Sequence, residues 1–385
     1  MKAYRLPSKQ AGFSLIDMLV GAAIGLLAIV VIMYSFKAFE GQKRTTDSLA
    51  GAQSDGLMAM TTLDTSIRQA GLGLFTNGSL LCSSVNIYYN GSTVANMVKM
   101  MPVAITDGGG GASDTINIIT SQSAFGAASV PVVMPMPSPS AIITVSGNPS
   151  VNVGDLVLVG DPTTPGTPCT VMGVTNVATT AIGVDVQHNS GTSLWNPPNP
   201  VTAFTNAPAY GTSALMLPLG TFSRLEYQAL CNSLVSTDLN NGSATPPSCV
   251  GSTFTNATPL AANVVNIQAQ YGVIPVSLAG GIACWVNATV AGTNACDASD
   301  WSSPTLANTK RIEAIRLAVT VISPQIEKPN TTGACTATAS TTASNYPVSW
   351  PGGPAIDVTT LPNWKCYRYK VFQTITPIRN AIWAN

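Results

Sequence analysis

Charge is what this chain has least of. Charged residues make up 9% of its 385 residues, and 17 lysines and arginines balance 17 aspartates and glutamates. A chain this neutral offers no broad basic face to a phosphate backbone, so direct nucleic-acid binding is not expected. It is not a disordered polyelectrolyte either, because 45% of its residues are hydrophobic, enough to build a core. Histidine is scarcer still: His188 stands alone, in a turn-rich stretch where it reads as an exposed or satisfied loop residue. One histidine and no Cys-x-x-Cys argue against a zinc site. His-Glu-x-x-His and Gly-x-Ser-x-Gly are missing. Gly108–Gly111 lacks the Lys-Ser/Thr of a phosphate loop and reads as a flexible turn. Asp238, Asn240, Asn241 and Gly242 form part of a calcium-loop pattern, but the downstream carboxylate is absent, so a plain turn is expected. These absences point away from an enzyme and predict no catalytic residue, metal or cofactor.

What the chain does have is one long apolar run. After a basic leader (Lys2, Arg5, Lys9), residues 13–36 carry a single charge, Asp17, and the next is Lys37. Such a run can span a bilayer as a helix. An acid inside it is costly in lipid and marks a functional position. The following residues, up to Ala70, contain no proline, and Leu49, Leu57, Met60, Leu63, Ile67 and Ala70 recur at helical spacing. The spacing predicts one helix from Phe13 to Ala70, roughly 90 Å long at 1.5 Å per residue. Gly41, Gly51 and Gly56 each weaken it by about 1 kcal/mol relative to alanine and mark candidate bends; Gly71 and Gly73 supply the stop.

Past Leu80 the pattern turns to short β-branched runs between turns, at Val85–Tyr89, Thr115–Thr120, Ala141–Ser146, Asp155–Asp161, Val264–Val273, Glu313–Ile322 and Tyr367–Ile378. All eight cysteines follow the apolar run, and their even number suits disulfides made in an oxidising compartment. Sequence-near pairing joins Cys231 to Cys249, Cys284 to Cys296 and Cys335 to Cys366, leaving Cys82 with Cys169; on the order of a hundred other arrangements exist. Free buried thiols remain the alternative. Trp195, Trp285, Trp301, Trp350, Trp364 and Trp383 are scattered; core packing is favoured over a binding platform. Arg368 and Lys370, alternate residues of a strand, read as a solvated face.

The order Gly12, Phe13, Ser14, Leu15, Ile16, Asp17, apolar run resembles the leader of type IV prepilins. An ordinary secretory signal is cut after its apolar region; here the candidate cut precedes it. The resemblance implies cleavage by prepilin peptidase between Gly12 and Phe13 and N-methylation of Phe13, with Asp17 where the family usually has Glu. The Phe13 amine of one subunit and the Asp17 carboxylate of a neighbour can then pair in an apolar filament core. Pairing recovers part of the several kcal/mol each charge costs there, and so sets subunit register. Asp17 as a simple helix-start cap, and the whole segment as a plain membrane anchor, are the competing readings.

Further blocks narrow the resemblance. Leu63–Gly73, Gly154–Asp161, Ala262–Val273, Lys310–Ser323 and Cys366–Trp383, with Arg68 to Gly71, Tyr271-Gly272, Arg311 to Arg316 and Arg379-Asn380 among them, resemble the PilW family of minor pilins. That resemblance implies an α+β, type IV pilin-like fold: leader 1–12, long helix 13–72 with its membrane part at 13–36, and a large, mainly antiparallel β head 73–385 with disulfides. It implies a minor pilin that primes or caps the filament tip with other minor pilins and the major pilin. The protein would wait in the inner membrane, head in the periplasm, and end at the pilus tip. Twitching motility and adhesion would belong to the pilus. A tip adhesin and a type II secretion pseudopilin of the J type are the alternatives.

Overall fold

The computed structural model describes residues 14–382, apart from 73, 77–78, 123–127, 165, 243–244, 279, 328, 331, 336, 339–347 and 349. One long helix, Leu15–Gln69, precedes a head whose regular structure is mostly strand, joined by loops and the short helices Pro200–Ala203, Leu306–Thr309 and Arg379–Ile382. The fold is α+β, with a mainly antiparallel head. By contact density the chain divides into an N-terminal unit ending at Gly51 and a head beginning at Ala52.

In the N-terminal unit the apolar residues face outward throughout: Leu15 is 77% exposed, Leu27 67% and Phe36 71%. The helix is long and apolar enough to cross a membrane, as a single-pass anchor requires. Its Gly41 has open space where a side chain would be.

In the head the same helix is amphipathic, along part of the stripe its sequence suggests. The buried residues are Ala52, Gly56, Ala59, Met60, Leu63, Ile67 and Ala70, whereas Leu49 and Leu57 are exposed. Small residues occupy the face where the sheet comes closest, and the larger leucines turn away. Gly56 explains the choice: a methyl there would overlap the Phe372 ring. It is a contact glycine within a continuous helix, not a bend.

Three larger sheets lie among the described residues. The four-stranded sheet runs Cys284–Val286, Val264–Val273, Ile312–Ile322, Tyr369–Pro377, antiparallel throughout. The five-stranded sheet runs Thr258–Ala262, Ser233–Asp238, Phe222–Leu230, Thr115–Ser121, Val103–Thr106. Both share one buried cluster with the helix, which includes Leu63, Ile67, Ile116, Tyr227, Ile267 and Leu317. The nine-stranded sheet has its own cores. It is antiparallel except where Cys169–Gly173 lies parallel to Ser84–Tyr89. Expected and observed strands agree closely: Val264–Val273 keeps both bounds, and Ala141–Ser146 shortens to Ile143–Val145.

Four disulfides join Cys82 to Cys169, Cys231 to Cys249, Cys284 to Cys296 and Cys335 to Cys366. The second begins in a tight hairpin: Cys231 and Asn232 both have positive φ, 46° and 56°, between strands that pair Leu230 with Ser233.

Candidate functional site

The apolar helix is the part of the chain long and apolar enough to cross a membrane, and its apolar side chains are exposed. Ser14 holds its start: the Ser14 carbonyl accepts from Met18 N at 3.2 Å and its hydroxyl from Ile16 N at 3.3 Å. Asp17 lies in the first turn, where a negative charge meets the positive end of the helix dipole. Gly12 and Phe13, the expected cleavage and methylation positions, lie outside the described residues.

The head grips the helix from Asp55 onward through polar contacts around the apolar stripe. Asn263 Nδ2 donates to Asp55 Oδ2 at 2.6 Å. Ser66 Oγ and Tyr227 Oη lie 2.9 Å apart. Arg68 forms a two-pronged bridge to Asp64, Nε to Oδ2 at 2.7 Å and Nη2 to Oδ1 at 3.0 Å. Thr376 Oγ1 donates to Asp64 Oδ1 at 2.6 Å. Burial pushes the Asp64 carboxyl up, but hydrogen bonds from Arg68 and Thr376 and the charges of Arg68 and Arg379 outweigh it and hold the group below its ordinary range. The helix end is closed by Asn380, whose Nδ2 donates to the Ala70 carbonyl at 2.9 Å, satisfying one of the orphan acceptors of the last turn. Gly71 turns the chain with φ of 75°, and its N–H donates to the Ile119 carbonyl at 2.9 Å. The Arg68–Gly71 segment and the Arg379-Asn380 pair, far apart in sequence, thus meet at one end of the head. Trp383 and Gly73 fall outside the described residues.

Tyr271-Gly272 serves opposite faces of one strand. The Tyr271 ring is buried 6.2 Å from that of Trp301, and its hydroxyl accepts from Ile105 N at 2.6 Å, tying the four-stranded sheet to the five-stranded one. Gly272 leaves the other face bare; a methyl there would overlap Trp285. Arg311 is buried: Nε donates to the Ile274 carbonyl at 3.0 Å, Nη2 to Asp297, and the guanidinium sits 5.3 Å from the Trp301 ring centre. Arg316 donates to the carbonyls of Gly352 and Pro351 and lies 4.5 Å over Trp350. Trp195 packs against Tyr89 and Phe222. The tryptophans described in these contacts are packing elements rather than an open platform. Arg368 pairs with Glu327 at 2.7 Å, and Lys370 covers Phe372.

The glycine run is less slack than its sequence suggests. Asp114, 2% exposed, accepts from Gly108 N at 3.0 Å and from Ala269 N at 2.8 Å. The carbonyl of Gly111 accepts from Asn266 Nδ2 and Asp357 N. The run is pinned to the strand Val264–Val273, and burial pushes the Asp114 carboxyl up to about 7 against those two hydrogen bonds. Nothing in the sequence flags Asp114. His188 lies in a loop, as expected, but is buried rather than exposed, and its Nε2 is not satisfied among the described residues; burial pushes its imidazole down. Asp238 caps a short turn by accepting from Asn240 N, and Gly242 ends it with φ of 60°. Among the described residues no three His, Cys, Asp or Glu side chains gather at one point.

Comparison with known proteins finds one segment similar to a family. Residues 230–380 match the family model described as type IV pilus-assembly protein W, PilW; residues 1–229 lie outside the match. The matched stretch contains the four-stranded sheet, Arg311, Arg316, Thr376 and Asn380. No curated protein and no solved structure matches the chain.

Proposed function

We propose, because residues 230–380 match the model of the PilW family of type IV pilus-assembly proteins, that this chain is a minor pilin that primes or caps the filament tip with other minor pilins. It is not an enzyme in this reading. Its head resides in the periplasm and its helix in the inner membrane until prepilin peptidase cuts between Gly12 and Phe13. The helix then leaves lipid for a filament core of pilin helices. The observation that carries the proposal is the helix itself, outward-facing and apolar over Leu15–Phe36 with Asp17 in its first turn. Outside lipid such a helix needs a partner surface of equal apolarity, and the small residues Gly21, Ala22, Ala23 and Gly25 suit close helix association in an apolar phase. The matched segment supplies the seat that couples such a helix to a folded head.

The test combines mass spectrometry of sheared pili with an Asp17→Ala strain. The expected mature N-terminus is methylated Phe13. Asp17→Ala is expected to leave cleavage intact while incorporation into pili falls at least about tenfold, the loss of roughly 1.4 kcal/mol or more of pairing. An unprocessed chain, or normal incorporation of the alanine variant, would count against the proposal.

A further inference from the structure

The nine-stranded sheet carries an open groove of about 490 Å³. Met134, Pro135, Pro137, Ile142 and Ile182 form its apolar lining, and Asp185 supplies a carboxylate. Met134, Ile142 and Ile182 are 44%, 41% and 64% exposed, so aliphatic surface is held open to water on a frame of paired strands. Asp185 stands opposite Thr144 in the register of Val184–Gln187 and Ile143–Val145, and Thr144 Oγ1 donates to its Oδ1 at 2.7 Å. The carboxylate is thus oriented, but it forms none of the salt bridges among the described residues.

The sequence around the groove explains why. No lysine or arginine occurs between Lys99 and Arg224, whereas Asp107, Asp114, Asp155, Asp161 and Asp185 all do. This stretch cannot neutralise its own carboxylates. An oriented acid in an apolar groove favours a cation, and among the described residues no lysine or arginine pairs with this one. The groove also lies wholly outside residues 230–380, away from the family segment.

We propose that the groove docks an extended segment of a partner protein in which one lysine or arginine is flanked by aliphatic residues. Burial of the aliphatic side chains against Met134, Ile142 and Ile182 supplies affinity. Pairing with Asp185 selects the basic segment over neutral or acidic ones. The inference is independent of the assembly reading: Asp17→Ala leaves the groove untouched, and groove variants leave the helix untouched.

The test uses the full chain in lipid nanodiscs, with empty nanodiscs as the blank. The probe is a fluorescein-labelled peptide Gly-Val-Leu-Lys-Val-Leu-Gly, compared with the same peptide bearing glutamate in place of lysine. The lysine peptide is expected to bind saturably. Asp185→Asn is expected to weaken it about fivefold, the size of a partly exposed ion pair, and raised salt should act in the same direction. Ile182→Glu, at an exposed position, is expected to abolish binding without changing the melting temperature. Should Asp185→Asn lower the melting temperature, Ile182→Glu carries the test alone. Absence of saturable binding below about 1 mM, a range that would include weak complexes, overturns the proposal. So does equal binding of the two peptides, or binding unchanged by Ile182→Glu. Self-association of the chain that Ile182→Glu abolishes, without peptide binding, assigns the groove to a second copy and also overturns it.

Discussion

Two aspartates with opposite environments set the expected acid response of the head. Asp114 is buried with two N–H donors and titrates at about 7, well above the 3.8 of an unfolded chain. Below pH 3.8 both states hold the proton; between there and 7 only the folded state holds it, so stability is lost as pH rises through that window. For Asp297 burial works upward, but the hydrogen bonds from Arg311 and Ser299 prevail and bring it down to about 2. Its contribution is present above 3.8 and is lost as pH falls toward 2. Unfolding of the head in denaturant is therefore expected to be hardest near pH 4. Asp114→Asn should flatten the slope between pH 4 and 7, while Asp297→Asn should flatten the fall below pH 4. A wild-type slope that survives Asp114→Asn would remove Asp114 as its source. Asp114→Asn also sets an amide donor against one of two backbone donors, at a cost of about 1–3 kcal/mol where the carboxylate is protonated. Neither aspartate is conspicuous in the sequence, because what distinguishes them is the strand or loop that comes to lie beside them. Asp64 and Arg68 are different: their four-residue spacing on a helix is legible in advance, though the hydroxyl of Thr376 is not.

At the scale of elements, the helix was largely legible and its buried face only partly so. A proline-free run of this length with apolar periodicity leaves little choice of element, and the observed helix spans Leu15–Gln69. Hydrophobicity alone favoured Leu49 and Leu57 as buried, but the sheet packs against Gly56 and Ala59, because close approach rewards small side chains more than apolar ones. Gly56→Ala is accordingly expected to destabilise the head, by about 1–2 kcal/mol after the gain in helix propensity is subtracted from the overlap with Phe372. Adding Phe372→Leu should recover part of the loss, which a double-mutant cycle by thermal melting measures; additive effects would mean that the two residues do not meet. Gly41→Ala, with open space around the site, serves as the contrast and should cost nothing. One hairpin was signalled and not read: Asn90-Gly91, with φ of 46° and 86°, links Ser84–Tyr89 to Ser92–Lys99, and the mixed second strand concealed the pair.

For the molecule as a whole, the strands were readable one at a time and their grouping into sheets was not. Period-two patterns mark strands, but neighbours such as Cys169–Gly173 and Ser84–Tyr89 lie too far apart in sequence for any local signal to pair them. The disulfides act at this scale. Cys82–Cys169 bridges 87 positions and Cys284–Cys296 bridges 12. On the chain-entropy view, removing the first with paired serines is expected to cost about 4–5 kcal/mol and the second about 3 kcal/mol. Guanidinium titration of the two double variants checks the order, and an equal loss would place the effect in native packing instead. The contact between Asn380 and Ala70 has a wider implication. These residues are separated by 310 positions, and Asp64 and Thr376 by 312. Synthesis from the N-terminus delivers the helix early and these two contacts last, so the stripe from Ala52 to Ala70 can meet the five-stranded sheet first, while its last turn stays unclasped until residues 376–380 arrive.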